Sequence, residues 1–125
     1  MKILRVIGGL ETTFGGPSFS ATNSIYACLG NHNNQIDLVV PTNGTDEVDR
    51  GFSQLINELT KKGVIVHTAN LTPYFGGLAR KYGISIHLLK WIKENINEYD
   101  VIHCHSAWVA PTIFAIFQAR RKNIP

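Results

Sequence analysis

Short apolar runs alternate with amphipathic stretches along this chain, and that alternation limits the available folds more than any other feature. Ile3 to Ile7, Ile36 to Val40, Val64 to Val66 and Val101 to His105 read as strands of a few residues each. Helical spacing fills the gaps between them. Gly16-Pro17-Ser18 is a helix start with Pro17 at the first helical position; Ala21, Ile25, Cys28 and Leu29 follow at helical intervals, and Gly30 is a stop. Val48, Phe52, Leu55, Ile56 and Leu59 form one apolar face of a second helix, which Lys62-Gly63 ends. A helix around Ser85 to Asn97 is expected to bury Ile86, Leu89, Ile92 and Ile96, and Pro111 to Arg121 is the last helix. Pro41-Thr42-Asn43-Gly44 is expected to break the second strand, and Asn70 to Gly77, interrupted by Pro73, Gly76 and Gly77, to be a loop. Parallel neighbours need crossover connections, so this order predicts an α/β domain with a mostly parallel sheet, a Rossmann-like three-layer sandwich.

The size fits one ordinary domain of 125 residues, and 44% hydrophobic residues suffice for a core. A net charge of +3 is too small and too scattered to suggest nucleic acid as a partner. Lys61 and Lys62, Arg80 and Lys81, and Arg120 to Lys122 fall at helix ends, where they complement the helix dipole. The two cysteines, Cys28 and Cys104, show neither a disulfide framework nor zinc spacing, which suits a reducing cytoplasm. Met1 to Ile7 carries a charge inside its apolar run and no cleavage-like site, so it reads as a first strand and not as a signal peptide. No run approaches the ~18 apolar residues that span a bilayer. Asn123-Ile124-Pro125 directly follows a helix where a further strand is expected, so the end reads as a C-terminal truncation.

Ligands of such sheets bind beyond the carboxyl ends of the strands, and two loops there carry unusual residues. Gly8 to Ser18 is glycine-rich and leads into a helix, so backbone amides and a helix N-terminus can approach a phosphate, with the Ser18 hydroxyl nearby. It matches neither G-x-G-x-x-G nor the P-loop, which argues against a dehydrogenase or an NTPase. A flexible strand-to-helix turn is the plainer reading of the same glycines. In the second loop, Tyr99 to Trp108, His103 and His105 share one face of a strand and Cys104 takes the other. A metal would need a third ligand that no sequence neighbour supplies, so none is expected. His103 reads as a buried, hydrogen-bonded strand residue, and His105 as a ligand contact where the strand opens into a cleft. Ser106 and Trp108 suit a hydroxylated or sugar-like ring by hydrogen bonding and stacking; Trp108 suits a core anchor equally well. No catalytic triad assembles, since Ser18 and Ser106 lack a G-x-S-x-G context. Asp37, Asp46, Asp49 and Asp100 read as strand-edge and helix-cap residues.

The N-terminal strand running into Gly15-Gly16-Pro17, the segment Tyr99-Asp100-Val101-Ile102-His103-Cys104-His105-Ser106-x-Trp108, and the exit Ala119 to Pro125 together resemble the retaining glycosyltransferases of the GT-B fold, family 4. The resemblance covers essentially the whole chain. It implies an enzyme of two Rossmann-like domains, of which this is the N-terminal, acceptor-side one. The missing C-terminal domain would mainly bind the nucleotide-diphosphate sugar. The glycine-rich loop would lie against the donor diphosphate through Gly15, Gly16, Pro17 and Ser18. The strand-end histidine of the family maps onto His105 as the catalytic residue, with His103, Ser106 and Trp108 beside the acceptor. A further histidine important to catalysis would follow Pro125, so the fragment alone is expected to be inactive. The implied reaction transfers sugar to a glycan or lipid-linked acceptor with retention and without cofactor or metal. The implied setting is cytoplasmic, with peripheral contact at the inner face of a membrane. Acceptor loops would be Thr42 to Asp49 and Asn70 to Gly83. Tyr74, Phe75 and Tyr82 in the second would touch an acceptor or lipid carrier or, more simply, pack the loop down. The alternative is a small flavodoxin-like module that grips a phosphorylated ligand through Gly15 and Gly16 without catalysis.

Overall fold

A computed structural model describes residues 1–10, 16–30, 33–43 and 50–125, with the backbone alone for 17, 18, 50 and 51. In chain order the elements are β1 (Lys2–Ile7), α1 (Gly16–Leu29), β2 (Gln35–Thr42), α2 (Arg50–Lys61), β3 (Ile65–Asn70), α3 (Gly76–Tyr82), α4 (Ile86–Asn95), β4 (Val101–His105) and α5 (Ala110–Lys122). The four strands form one sheet in the order β3-β2-β1-β4, and every pair is parallel. This is the Rossmann-like α/β sandwich expected from the alternation. In a flavodoxin-like sheet the third strand lies on the other side of β1.

Alternate residues of the central strands feed two separate cores. Leu4, Val6 and Val39 pack with Leu88 and Ile92 of α4 and Ala115 and Ala119 of α5. Ile7, Ile36, Leu38 and Val40 pack on the other face with Ala21 and Ile25 of α1 and Leu59 of α2. Burial on both faces explains why β1 and β2 read as nearly continuous apolar runs instead of alternating ones. Each fully buried Leu or Ile side chain contributes about 1.5–3 kcal/mol.

The elements differ from the sequence expectation in two places, and Ile86, expected on the buried face of α4, is exposed. Strand β2 runs through Pro41 and Thr42, which pair with Ala69 and Asn70 of β3. The last β1–β2 pair is Val6 with Val39, so Pro41 has no β1 neighbour to which an amide would donate. The segment expected as a loop holds the end of β3, a 3-10 turn at Pro73–Phe75 and the start of α3. Gly76, at φ +50°, redirects the chain from that turn into the helix. Val48, expected to open the second helix, lies outside the described residues, and α2 is seen from Arg50. Elsewhere the helix ends behave as expected. Ser85 caps α4, accepting from Leu88 N, and donates to Asn70 O at 2.8 Å, which ties that helix to the end of β3. Lys61, Arg80 and Lys81, and Arg120 to Lys122 occupy last turns. Among the described residues no helix is long and apolar enough to cross a membrane.

Asp37 is not at a strand edge in the solvated sense but buried within β2. The Tyr99 hydroxyl donates to its Oδ2 at 2.6 Å, and Gln35 Nε2 donates to Oδ1 at 3.3 Å. His67 Nε2 lies 3.6 Å from Oδ2, its ring packed 4.1 Å from that of Trp91. Burial, reinforced by the hydrogen bond to Asp37, raises the Tyr99 phenol well above the usual tyrosine range. Because a buried carboxylate that loses a donor keeps its desolvation cost, Tyr99→Phe is expected to destabilise the domain by about 1.5–3 kcal/mol. Urea unfolding is the measurement, with a lowered midpoint and an unchanged slope; an unmoved midpoint would show the bond to be dispensable.

Candidate functional site

Strands β1 and β4 are neighbours, yet the helices that follow them pack on opposite faces of the sheet, α1 with one core and α5 with the other. A crevice opens at such a switch point, beyond the carboxyl ends of the two strands. The register pairs Arg5 with His103 and Ile7 with His105, so Gly8 and Ser106 leave the sheet side by side. Gly8 has no room for a side chain: a Cβ there would lie 2.6 Å from Val109 Cγ2. Gly83, at φ +64°, closes on it from another loop, where a Cβ would lie 3.1 Å from the Gly8 carbonyl oxygen. The exit of β1 thus rests directly on the segment between β4 and α5.

Of the residues expected to contact phosphate, Gly15 lies outside the described residues. Gly16 is the first residue of α1, and a Cβ there would meet no atom within 4 Å. Pro17 and Ser18 stand in the first helical turn, with their side chains outside the described set. No acidic residue occupies that turn.

His105 is half-buried at the end of β4, and its Nε2 lies 3.1 Å from Arg5 Nη1. Arg5 is 2% exposed and reaches across from β1. It donates to Ser24 Oγ at 2.6 Å, Ser24 O at 3.3 Å and Cys28 Sγ at 3.0 Å, all on α1. A guanidinium can only donate, so His105 Nε2 accepts and the imidazole proton sits on Nδ1. Burial, then the neighbouring His103 and Arg5, push His105 down to about 4. Burial and then Arg5 lower His103 as well. The two rings, stacked with centroids 4.3 Å apart, are therefore both neutral at pH 7. Among the described residues no group of three His, Cys, Asp or Glu side chains comes together.

His103 is exposed, where a buried histidine was the plainer expectation. The reason is topological. Strand β4 ends the sheet order, and its other face, Ile102 and Cys104, is the one that packs with the α5 core. On that covered face burial pushes the Cys104 thiol up to about 11. Trp108 is 84% exposed and anchors no core. Ser106 takes φ +71°, a left-handed conformation that costs a non-glycine residue about 1–2 kcal/mol, and Thr112 Oγ1 holds its carbonyl at 2.6 Å. Non-glycine residues held in this region gather at functional sites. The residue missed by sequence reasoning is Arg5. Its signal was the charge inside the first apolar run, which excluded a signal peptide but was not followed into the site.

The depressed His105 sets a pH dependence. An unfolded histidine titrates near 6.5, whereas the folded one does so near 4. Between these values only the unfolded chain gains the proton, so the stability present above pH 6.5 is lost as the pH falls towards 4. His105→Gln should lose less stability than the parent between pH 7.5 and 4.5 in paired thermal melts. Parallel curves for the two proteins would mean that His105 titrates normally.

No family model matches the chain, and no curated protein matches it. A solved structure described as "AtPrR2 in apo form" superposes with a TM-score of 0.57 at 11% sequence identity. The match covers 99% of this chain and 36% of the other, so the chain spans about a third of that protein's length. At this identity the likeness shows the α/β fold alone.

Proposed function

We propose that the chain is the N-terminal, acceptor-side part of a retaining glycosyltransferase of the GT-B type. In this reading a second Rossmann-like domain beyond Pro125 holds the nucleotide sugar, and the sugar passes to a glycan or lipid-linked acceptor. The observation that supports the reading is that β1 leaves the sheet at Gly8 beside the end of β4, where His105 stands, with Gly8 packed on Val109. The order β3-β2-β1-β4 supports it over a flavodoxin-like module.

The chemistry follows from charge. As the glycosidic bond of the donor breaks, the diphosphate leaving group gains negative charge. Amides at the start of α1, whose first turn holds no carboxylate, stabilise that charge without reorganising. His105 offers a neutral N–H to an oxygen of the acceptor or of the sugar in transfer. Trp108, exposed three residues further along the chain, offers a face on which a sugar ring can stack. A cytoplasmic enzyme in peripheral contact with a membrane belongs to the same reading. Tyr74 is 90% exposed, not packed down, and Leu78 and Tyr82 are exposed with Arg80 and Lys81 in the same short helix.

Two variants test this. Gly16→Val adds bulk where the domain itself leaves space, so it is expected to weaken nucleoside diphosphate binding by the full-length enzyme about tenfold or more, while stability moves by no more than about 0.5 kcal/mol. Unchanged affinity by calorimetry would separate the loop from the diphosphate. His105→Ala removes one donor, and transfer should fall roughly 10–100-fold, the equivalent of a hydrogen bond to a charged or developing-charge oxygen. Donor binding should fall less; equal losses in rate and binding would contradict the assignment to the acceptor side.

A further inference from the structure

Arg5 breaks the local rule of its own strand. It stands between Leu4 and Val6 in a segment buried on both faces, and it is itself buried. A guanidinium is always charged, and a buried charge is costly unless it is paired. Among the described residues Arg5 has no carboxylate partner. Its contacts are a hydroxyl, a carbonyl, a thiol and the His105 imidazole, and its Nε, also buried, has no hydrogen-bond partner. A group kept at such cost, in conflict with its surroundings, marks a functional position more often than a structural one.

We propose that Arg5 is the positioning residue of the site: by donating from Nη1 into His105 Nε2 it fixes the imidazole proton on Nδ1, so that His105 meets a ligand as an N–H donor and not as a base. Among the described residues, the groups facing this imidazole are His103 on its own strand, Arg5 on β1, and Ser24 and Cys28 of α1 behind Arg5. None of them is an acid, so none competes for the Arg5 donor. Ser24 Oγ also donates to Ala21 O at 2.8 Å, which leaves its lone pairs to Arg5 and fixes the guanidinium from the helix side. The consequence is a chemical class for the ligand group at His105: an oxygen that accepts a hydrogen bond, on a sugar hydroxyl or on a phosphate, and not a hydroxyl awaiting deprotonation by this residue. The identity of that ligand rests on the glycosyltransferase reading; the state of the imidazole does not.

The test is a two-bond proton–nitrogen correlation spectrum of the imidazoles in the uniformly 15N-labelled protein at pH 7.5. The expected pattern for His105 is a protonated Nδ1 and a bare Nε2. Arg5→Met keeps the bulk and removes the donor, and should convert most of the His105 population to the Nε2-protonated tautomer. A parent spectrum with Nε2 protonated would overturn the proposal even if the Met variant failed to fold. So would an unchanged His105 pattern in a folded Arg5→Met. Uridine, adenosine and guanosine diphosphates, added to the full-length enzyme with its second domain, separate the two readings. Absence of any binding with the Nδ1 tautomer intact would count against the transferase alone, and the wrong tautomer with binding intact would count against the role of Arg5 alone.

Discussion

The position of β1 between β2 and β4 is the constraint on which the other features depend. It is hydrogen-bonded on both sides in parallel register, and its first residue is locked at the sheet's far end. Lys2 N donates to Asp100 Oδ2 at 2.7 Å, and Asp100 N donates to Lys2 O at 2.9 Å. Side chains alternate along a strand, so a slip of one residue would carry Arg5 to the face where α4 and α5 pack and would move Leu4 and Val6 to the face where α1 and α2 pack. The same register sets Arg5 opposite His103 and brings its guanidinium to His105 Nε2. The core and the candidate site are thus consequences of one pairing.

The site concentrates unfavourable groups. Away from it, helix ends carry the charges expected of them, and the buried Asp37 of β2 has Tyr99 and Gln35 as donors. At the carboxyl edge there is a buried cation without a described counter-ion, a pair of stacked imidazoles held neutral, and a serine with left-handed backbone. Two complete cores, one on each face of the sheet, allow a domain of this size to hold such an arrangement. The glycines serve a related end. Gly8 and Gly83 keep three loops in contact, where any side chain would force them apart.

Much of the architecture was legible in the linear pattern. Strand β4 begins at Val101 and ends at His105 as the apolar run indicated, and α4 and α5 agree with their spacing to within a residue or two. The misreadings have physical causes. Pro41 reads as a strand breaker because the sequence does not show that β1 has already turned away at that point. Gly76 and Gly77 read as loop residues because a glycine can open a short helix as readily as end one. His103 was open to burial because residue type does not say which face of a strand is covered; it is exposed, since the helix following β4 packs on the other side. Trp108 lies beyond the strand, in the turn before α5, and is exposed as well.

The sequence by itself determined the class of fold, the order of its elements and the two loops that carry unusual chemistry, because these depend on periodicity and on the backbone preferences of glycine and proline. Only the tertiary structure decided that β1 and β4 leave the sheet side by side and that a charge in the first strand reaches a histidine a hundred residues later. Those facts arise from strand order and register, which are set by pairing between distant segments and leave no mark in the local pattern of either one.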